Sequence, residues 1–256
     1  MNAPSEPLSP GDLFAQYEAD LQQSRATGLI TDQLRKSGLV TLSGLTSPQG
    51  ITSLADRVMH WAAYEGAGPS GLHEVRDTGE HAHLAGQAEL TRAAVDVHTR
   101  RADHVAPPRL VLMVCIDPGH AGGETVLVDG KALFADLCRH RPDTARAFLD
   151  QQAALFGRHE AALFAQAGYR HYALRLCQDG TVRWNAPAQP YLPVLRGALR
   201  RHQQILALRH GQGVLVDNAR WATGRCAFTG PRLFLRAEGA ARFRLPRGFF
   251  SEAVPT

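Results

Sequence analysis

The stretch Pro107-Pro108-Arg109-Leu110-Val111-Leu112-Met113-Val114-Cys115-Ile116-Asp117-Pro118-Gly119 decides the fold. Its apolar run, residues 110–116, is closed by two prolines on one side and by Asp-Pro-Gly on the other. A short uninterrupted apolar run between such breakers reads as a sheet strand buried on both faces. At seven residues the run is far short of the roughly 20 needed to span a bilayer.

Working outward, residues 38–42 and 214–217 read as further short strands, and residues 232–237 as the last one. Residues 172–177 and 181–184 flank Gln178-Asp179-Gly180, which predicts a hairpin. Leu13, Tyr17 and Leu21 recur at helical spacing. Pro48 opens a helix whose apolar face is Ile51, Leu54, Val58 and Trp61, running to a breaker at Gly66-Ala67-Gly68-Pro69. Helices are also expected over about 130–140, 142–152 and 193–209. Many short strands with few helices favour a sandwich or barrel over a parallel wound sheet. Residues 1–10 read as a disordered tail, and 11–256 as one domain. Within it, the segments near 64–92 and 156–170 are expected to form lids.

Composition narrows the function classes. The chain has 256 residues, is 44% hydrophobic and 20% charged, and carries a formal charge of +4, which suits one well-buried globular domain. Its 26 arginines against two lysines, Lys36 and Lys131, follow genomic composition rather than a polyanion partner. No basic stripe interleaved with aromatics is present, so no nucleic-acid partner is expected. The densest basic patch, Arg196, Arg200, Arg201 and His202, reads as a solvated helix face. Cys115, Cys138, Cys177 and Cys226 lack paired spacing, and nothing before them reads as a secretory leader. Reduced thiols, a soluble protein, no membrane partner and a cytoplasmic location are the expectation.

A set of ordered motifs then carries a resemblance. These are His98-Thr99-Arg100, Pro107-Pro108 ahead of the apolar run, Gly122-Gly123-Glu124-Thr125 and Asp129-Gly130, then Asp217-Asn218, Gly224-Arg225, Phe228, Gly230-Pro231-Arg232 and Arg236. In order and separation they resemble the taurine dioxygenase and clavaminate synthase branch of the iron(II)/2-oxoglutarate-dependent oxygenases, over residues 38–237. The resemblance implies a mainly β fold with flanking helices, an α+β chain built on a double-stranded β-helix, the cupin-like jelly roll. It also implies a site in which two histidines and one carboxylate hold iron(II), leaving positions for 2-oxoglutarate and dioxygen.

Mapped by motif, His98 is the first histidine, but Arg100 stands at the carboxylate and Thr223 at the second histidine. The part that grips 2-oxoglutarate has counterparts in Thr125 and Arg236, while Arg232, four residues earlier, either assists or faces solvent. An arginine cannot shed its proton. Facing a dication at ~4 Å with an effective dielectric of about 20, it would cost roughly 8 kcal/mol before screening. If a metal is bound, His98 with Asp103 or His104 from the same loop would have to hold it. His81 and His83 share a face if extended, but read as ordinary loop histidines. The other histidines carry no usable spacing.

The expected function is therefore a metal-independent proton transfer on an anionic small molecule, an oxoacid or amino-acid derivative of specialised metabolism. His98 and Arg100 would be catalytic. Thr125, Arg236 and Arg232 would hold a carboxylate such as 2-oxoglutarate, and Thr223, Asn218, Asp103 and His104 would border the pocket. An iron(II)/2-oxoglutarate oxygenase with rebuilt ligands is the alternative, and a non-catalytic binding or partner subunit the third reading.

Overall fold

A computed structural model of the chain describes residues 10–23, 25–61, 67–68, 70–79 and 88–255. The apolar run is the strand Leu110–Asp117, at the centre of a seven-stranded sheet. In that sheet the strands Glu18–Ala19, Leu39–Leu42, Gly213–Asp217, Leu110–Asp117, Leu233–Ala241 and Met59–Trp61 follow one another, and His73–Val75 also pairs with Leu233–Ala241. A second sheet orders Gln204–Leu206, Thr125–Asp129, Trp221–Arg225 and Val95–His98. The fold is mainly β with flanking helices, consistent with a cupin-like jelly roll.

Three apolar layers explain why the chain adopts it. Between the sheets lie Leu39, Val111, Cys115, Val214, Val216 and Phe234 from the large sheet and Leu127, Leu206 and Trp221 from the small one. The outer face of the large sheet packs Val40, Leu112, Val114 and Leu215 against Ile30, Leu34, Ile51, Leu54 and Val58 of the helices Ala26–Ser37 and Pro48–Val58. The outer face of the small sheet packs Val97, Val126, Val128 and Ala222 under Leu133, Phe134, Phe148, Leu195 and Leu199 of three further helices. With both faces covered, the central strands need no polar alternation, which is why the run at 110–116 is continuous.

The helix Pro48–Val58 starts where Ser47 caps it, its Oγ accepting the Gly50 N–H at 3.2 Å. Gly130–His140 lies as the sequence predicts, Pro142–Leu149 starts where expected but ends short of residue 152, where Asp150 turns to extended backbone, and Arg196, Arg200 and Arg201 are exposed on Leu192–Arg201. No described helix is long and apolar enough to cross a membrane.

Several boundaries differ from the sequence expectation, each because sheet pairing captures residues that continue a helical pattern. The first helix stops at Tyr17, leaving Leu21 beyond it, and Trp61 belongs to the strand Met59–Trp61. The helix expected to reach residue 209 ends at Arg201, and Gln204–Leu206 pairs with residues 125–127. The expected hairpin around Asp179 does not form. Asp179 makes a local turn by accepting the Thr181 N–H at 2.9 Å. Its arms nevertheless join different sheets, His171–Leu174 with Phe164–Gly168 and Phe249–Phe250, and Val182–Trp184 with Ala154–Phe156.

The tail expected at 1–10 falls outside the described residues as far as residue 9, and Pro10 already opens a helix. The 64–92 segment, expected as a lid, contains a strand. His73–Val75 is a strand whose buried Val75 faces Phe234, while residues 64–66, 69 and 80–87, with His81 and His83, lie outside the described residues. The 156–170 segment includes the strands His159–Ala161 and Phe164–Gly168.

Candidate active site

Between the two sheets opens a cavity lined by Glu89, His98, Arg100, Thr125, Thr223, Arg225, Arg232 and Arg236, with Val75, Val95, Val111, Met113, Gly224 and Phe234 as its apolar wall. Six of the nine residues singled out from the sequence therefore meet at one place. The small sheet brings His98 opposite Thr223 in register and Thr125 opposite Arg225. The large sheet supplies Arg232, at the foot of its long strand, and Arg236 within it.

Close approach between the His98 strand and its neighbour depends on Gly224. A Cβ there would lie 2.6 Å from the Val95 carbonyl oxygen and 3.0 Å from the Val97 nitrogen. The pairing register shifts at this point, between Thr223 and Arg225.

The His98 ring is oriented by its own strand, with Nδ1 2.9 Å from the Asp96 carbonyl oxygen. A carbonyl only accepts, so Nδ1 carries the proton and Nε2 keeps its lone pair. Burial lowers the His98 pKa from its ordinary value, and the Arg100 charge pushes the same way. His98 is thus a neutral imidazole at pH 7. Thr99 beside it is anchored from across the fold, its N–H donating to the Leu176 carbonyl at 2.8 Å and its Oγ1 accepting the Leu176 N–H at 3.0 Å.

Arg100 points into the cavity, bound to two carboxylates that the sequence reading did not single out. Its Nε donates to Glu238 Oε1 at 2.7 Å, and its Nη1 to Glu89 Oε2 at 3.1 Å. Arg236 grips Glu89 as a fork, Nη1 to Oε2 at 2.7 Å and Nη2 to Oε1 at 3.3 Å, and its Nε lies 3.0 Å from Glu238 Oε1. Arg101 shares Glu238 through a 2.8 Å contact. Burial alone would raise both glutamates, yet the Arg236 and Arg100 guanidiniums outweigh it and hold both carboxyls below their ordinary range. Glu238 was legible in principle, since residues two apart on a strand share a face and Arg236 was already in view. Glu89 carries no such signal, because it sits on the isolated turn Ala88–Leu90.

Arg232 differs from Arg236. It is buried, stacks 3.8 Å from the Phe234 ring centroid and donates to the Gly123 carbonyl at 3.2 Å. No carboxylate lies within ion-pair distance of it among the described residues, and its Nε has no hydrogen-bond partner. Burial, with the nearby Arg225 charge, lowers its pKa to about 10, so it stays cationic at neutral pH. Arg225 fans its Nη atoms onto the carbonyls of Ala88, Glu89, Thr91 and Ala93, which fastens the turn that carries Glu89.

Three expected pocket residues are not in the cavity lining. Asp103 and His104 are exposed. Their loop is turned outward by Arg175, whose Nη1 binds the carbonyls of Ala102 and His104 at 2.7 Å each. Asn218 is buried, but its amide is spent on the Arg100 and Pro108 backbone. His73, which sequence spacing left aside, stands behind Glu89 at 3.9 Å.

The model of the taurine catabolism dioxygenase TauD, TfdA family matches residues 4–179. The chain belongs to that family. A curated relative, uridine-5'-phosphate dioxygenase from Streptomyces sp, is 28% identical over 152 residues, covering 50% of this chain and 55% of the relative. The chain thus spans about half the length of that relative. An asparagine oxygenase solved with Fe(II), 2S,3S-3-hydroxyasparagine and succinate superposes with a TM-score of 0.68 at 15% identity, over 87% of this chain and 93% of that one. The non-heme iron oxygenase OrfP, solved with Fe, succinate and (3S)-hydroxy-L-Arg, superposes at 0.63 with 14% identity over 90% and 89%. OrfP has also been solved with Fe and alpha-ketoglutaric acid.

Against that family background the donor set of this member can be tested. At the three motif positions stand one imidazole, a guanidinium with only N–H donors, and a hydroxyl. Among the described residues no three His, Cys, Asp or Glu side chains are placed to hold a metal ion. These residues do not fit iron(II). The residues to which the resemblance assigns the grip on 2-oxoglutarate, Thr125 and Arg236, are buried at the cavity together with Arg232.

Proposed function

We propose that this member of the family is an enzyme that binds an anionic small molecule at Arg232 and Thr125 and moves a proton with His98, without iron. The observation that carries the reading is the Arg100 guanidinium lining the cavity beside His98, where the family resemblance calls for a carboxylate ligand. A substrate with an acidic C–H next to a carbonyl suits this arrangement. His98 Nε2 takes the proton and the C–H electron pair moves onto the carbonyl oxygen. Guanidinium N–H groups stabilise the resulting oxyanion. Return of the proton to another atom gives isomerisation, and loss of a neighbouring group gives elimination. An amino acid or an anionic derivative is the substrate class in keeping with relatives named for asparagine and uridine-5'-phosphate and with a neighbour solved with (3S)-hydroxy-L-Arg.

The test uses chelator-treated protein in D2O with 2-oxoglutarate, following deuterium entry at the carbon beside the oxo group by NMR. Exchange should occur, and His98→Ala should abolish it while leaving the circular dichroism spectrum unchanged. Undiminished exchange in His98→Ala rules out the role.

A second reading, an iron(II)/2-oxoglutarate oxygenase with other ligands, is favoured by the neighbours solved with Fe and by the retained His98, Thr125 and Arg232. It requires stoichiometric iron in the purified protein and oxygen uptake coupled to 2-oxoglutarate.

A further inference from the structure

The two lysines of the chain, Lys36 and Lys131, meet at one surface cleft that shares no lining residue with the cavity between the sheets. The cleft has two chambers, of about 700 and 120 Å³, joined along Arg35, His171 and Pro246. Both lysines line the smaller chamber, and Arg244 and Arg247 line the larger. The segment that carries these two arginines is held in place at Pro246, whose carbonyl accepts from Arg109. It is also held at Gly248, where φ is +67° and a Cβ would run into the Tyr172 carbonyl.

The fold does not neutralise these cations. Lys36, Lys131, Arg244 and Arg247 are exposed and have no carboxylate at ion-pair distance among the described residues. The carboxylates around the cleft are already engaged. Asp217, which lines the smaller chamber, is buried and pairs with Arg109, Asp129 pairs with Arg220, and Asp32 lies 3.4 Å from Arg35. Local structure explains only part of the charge. Arg35 and Lys36 end the helix Ala26–Ser37, where a cation suits the macrodipole. Lys131 stands in the first turn of Gly130–His140, where a cation opposes it. A genomic preference for arginine accounts for neither lysine.

Like charges gathered on one surface attract a ligand that carries several anionic groups in a row. A single carboxylate or phosphate answers one or two of these cations. A phosphate chain brings a negative group at each link, with acceptor oxygens for charge-assisted hydrogen bonds to lysine and arginine alike. The larger chamber falls within the roughly 300–1,000 Å³ of small-molecule sites. His171, which lines both chambers, packs edge-on to Phe250 with ring centroids 5.5 Å apart, and Phe250 is 41% exposed. These rings offer a planar base an aromatic neighbour. We infer that the cleft is a binding site for an oligophosphate, either a bare phosphate chain or that of a nucleoside di- or triphosphate. Lys36 and Lys131 are its charge partners in the smaller chamber, and Arg244 and Arg247 in the larger.

With only two lysines in the chain, the test is direct. The full chain, chelator-treated and at physiological ionic strength, is titrated by calorimetry with tripolyphosphate, ATP and inorganic phosphate. In parallel, acylation of its amines by an N-hydroxysuccinimide ester is followed by peptide mass spectrometry, with the α-amino group as reference. Expected are one equivalent of tripolyphosphate or ATP bound at least tenfold more tightly than phosphate, and acylation of both lysines slowed at least fivefold with the α-amino rate unchanged. ATP binding more tightly than tripolyphosphate assigns the nucleotide; otherwise the bare chain is the ligand. Lys36→Gln combined with Lys131→Gln should weaken binding at least tenfold. Arg196→Gln combined with Arg200→Gln, which removes the same charge from an exposed helix face, should weaken it less than twofold. Absence of binding, phosphate bound as tightly as tripolyphosphate, unprotected lysines, or equal losses in the two double variants overturns the site. The acylation arm does not depend on a variant folding.

Discussion

Asn218 holds the Arg100 loop from both sides of the peptide. Its Oδ1 accepts the Arg100 N–H at 2.6 Å, and its Nδ2 donates to the carbonyls of Arg100 at 3.0 Å and Pro108 at 2.9 Å. One buried amide thereby sets where the Arg100 side chain enters the cavity. Asn218→Ala leaves three backbone groups without that partner, at a cost of about 2–3 kcal/mol. Urea denaturation should show the midpoint falling accordingly; a variant as stable as the parent would mean the loop is held by other contacts.

Arg109 and Asp217 form the second anchor of this loop, Nε to Oδ1 at 2.6 Å and Nη2 to Oδ2 at 2.7 Å, with Nη2 also on the Pro246 carbonyl. Asp217 is buried. Arg109→Met strands its carboxylate, which is expected to destabilise by about 3–5 kcal/mol. Pairing Arg109→Met with Asp217→Leu should recover much of that loss. Thermal unfolding of the two variants checks both statements.

Acid should unfold the protein in two stages. Burial, together with the Arg236 charge, lowers the His73 pKa from 6.5 to about 4. A depressed folded-state pKa means stability that is fully present above 6.5 and is lost as pH falls toward about 4, here roughly 3 kcal/mol. Glu89 and Glu238 are also depressed, so their contribution is present above the ordinary carboxylate range and falls away below it. Urea midpoints at descending pH should decline through both windows. In His73→Gln the upper decline should shrink, with His98, also depressed by burial, keeping its share, while the lower one stays.

Arg232 works through shape as well as charge, with its guanidinium carbon over the Phe234 ring at 3.8 Å and 5.4 Å from the Phe228 centroid. Arg232→Lys keeps the positive charge but loses the stacked planar fork. A drop of roughly tenfold in 2-oxoglutarate affinity, about 1.4 kcal/mol, is expected by calorimetry. Full affinity in the lysine variant would show that a point charge suffices.

Gly224 lets the strands that carry His98 and Thr223 approach closely. Gly224→Ala puts a methyl into the Val95 carbonyl, so the strands must part, at about 1–3 kcal/mol. The NMR signals of the His98 ring should shift along with the loss of stability. Lost stability with an unmoved His98 signal would confine the strain to the outer edge of the sheet.

How much was legible varies from residue to residue for physical reasons. Periodicity and breakers located the central strand and the helices Gly130–His140 and Pro142–Leu149, because burial on both faces and proline geometry act locally. The same signals overran at Leu21, Trp61 and residues 202–209, where a neighbouring strand offered backbone partners. The flanks of Asp179 read as a hairpin, but two sheets compete for its arms, and pairing partners far along the chain are not written between the arms.

By itself the sequence determined the apolar layering, and with it a jelly roll that puts His98, Arg100, Thr125, Thr223, Arg232 and Arg236 around one cavity. Their residue types exclude a simple carboxylate-and-imidazole metal set at the motif positions. Tertiary structure alone decided the state of those charges: Glu89 and Glu238 pair with Arg100 and Arg236, while Arg232 has no carboxylate at ion-pair distance among the described residues. Covalent order sets which groups a strand presents, but ion pairing acts through space, and Glu89 meets Arg236 across 147 residues of chain only because two sheets and a turn converge there.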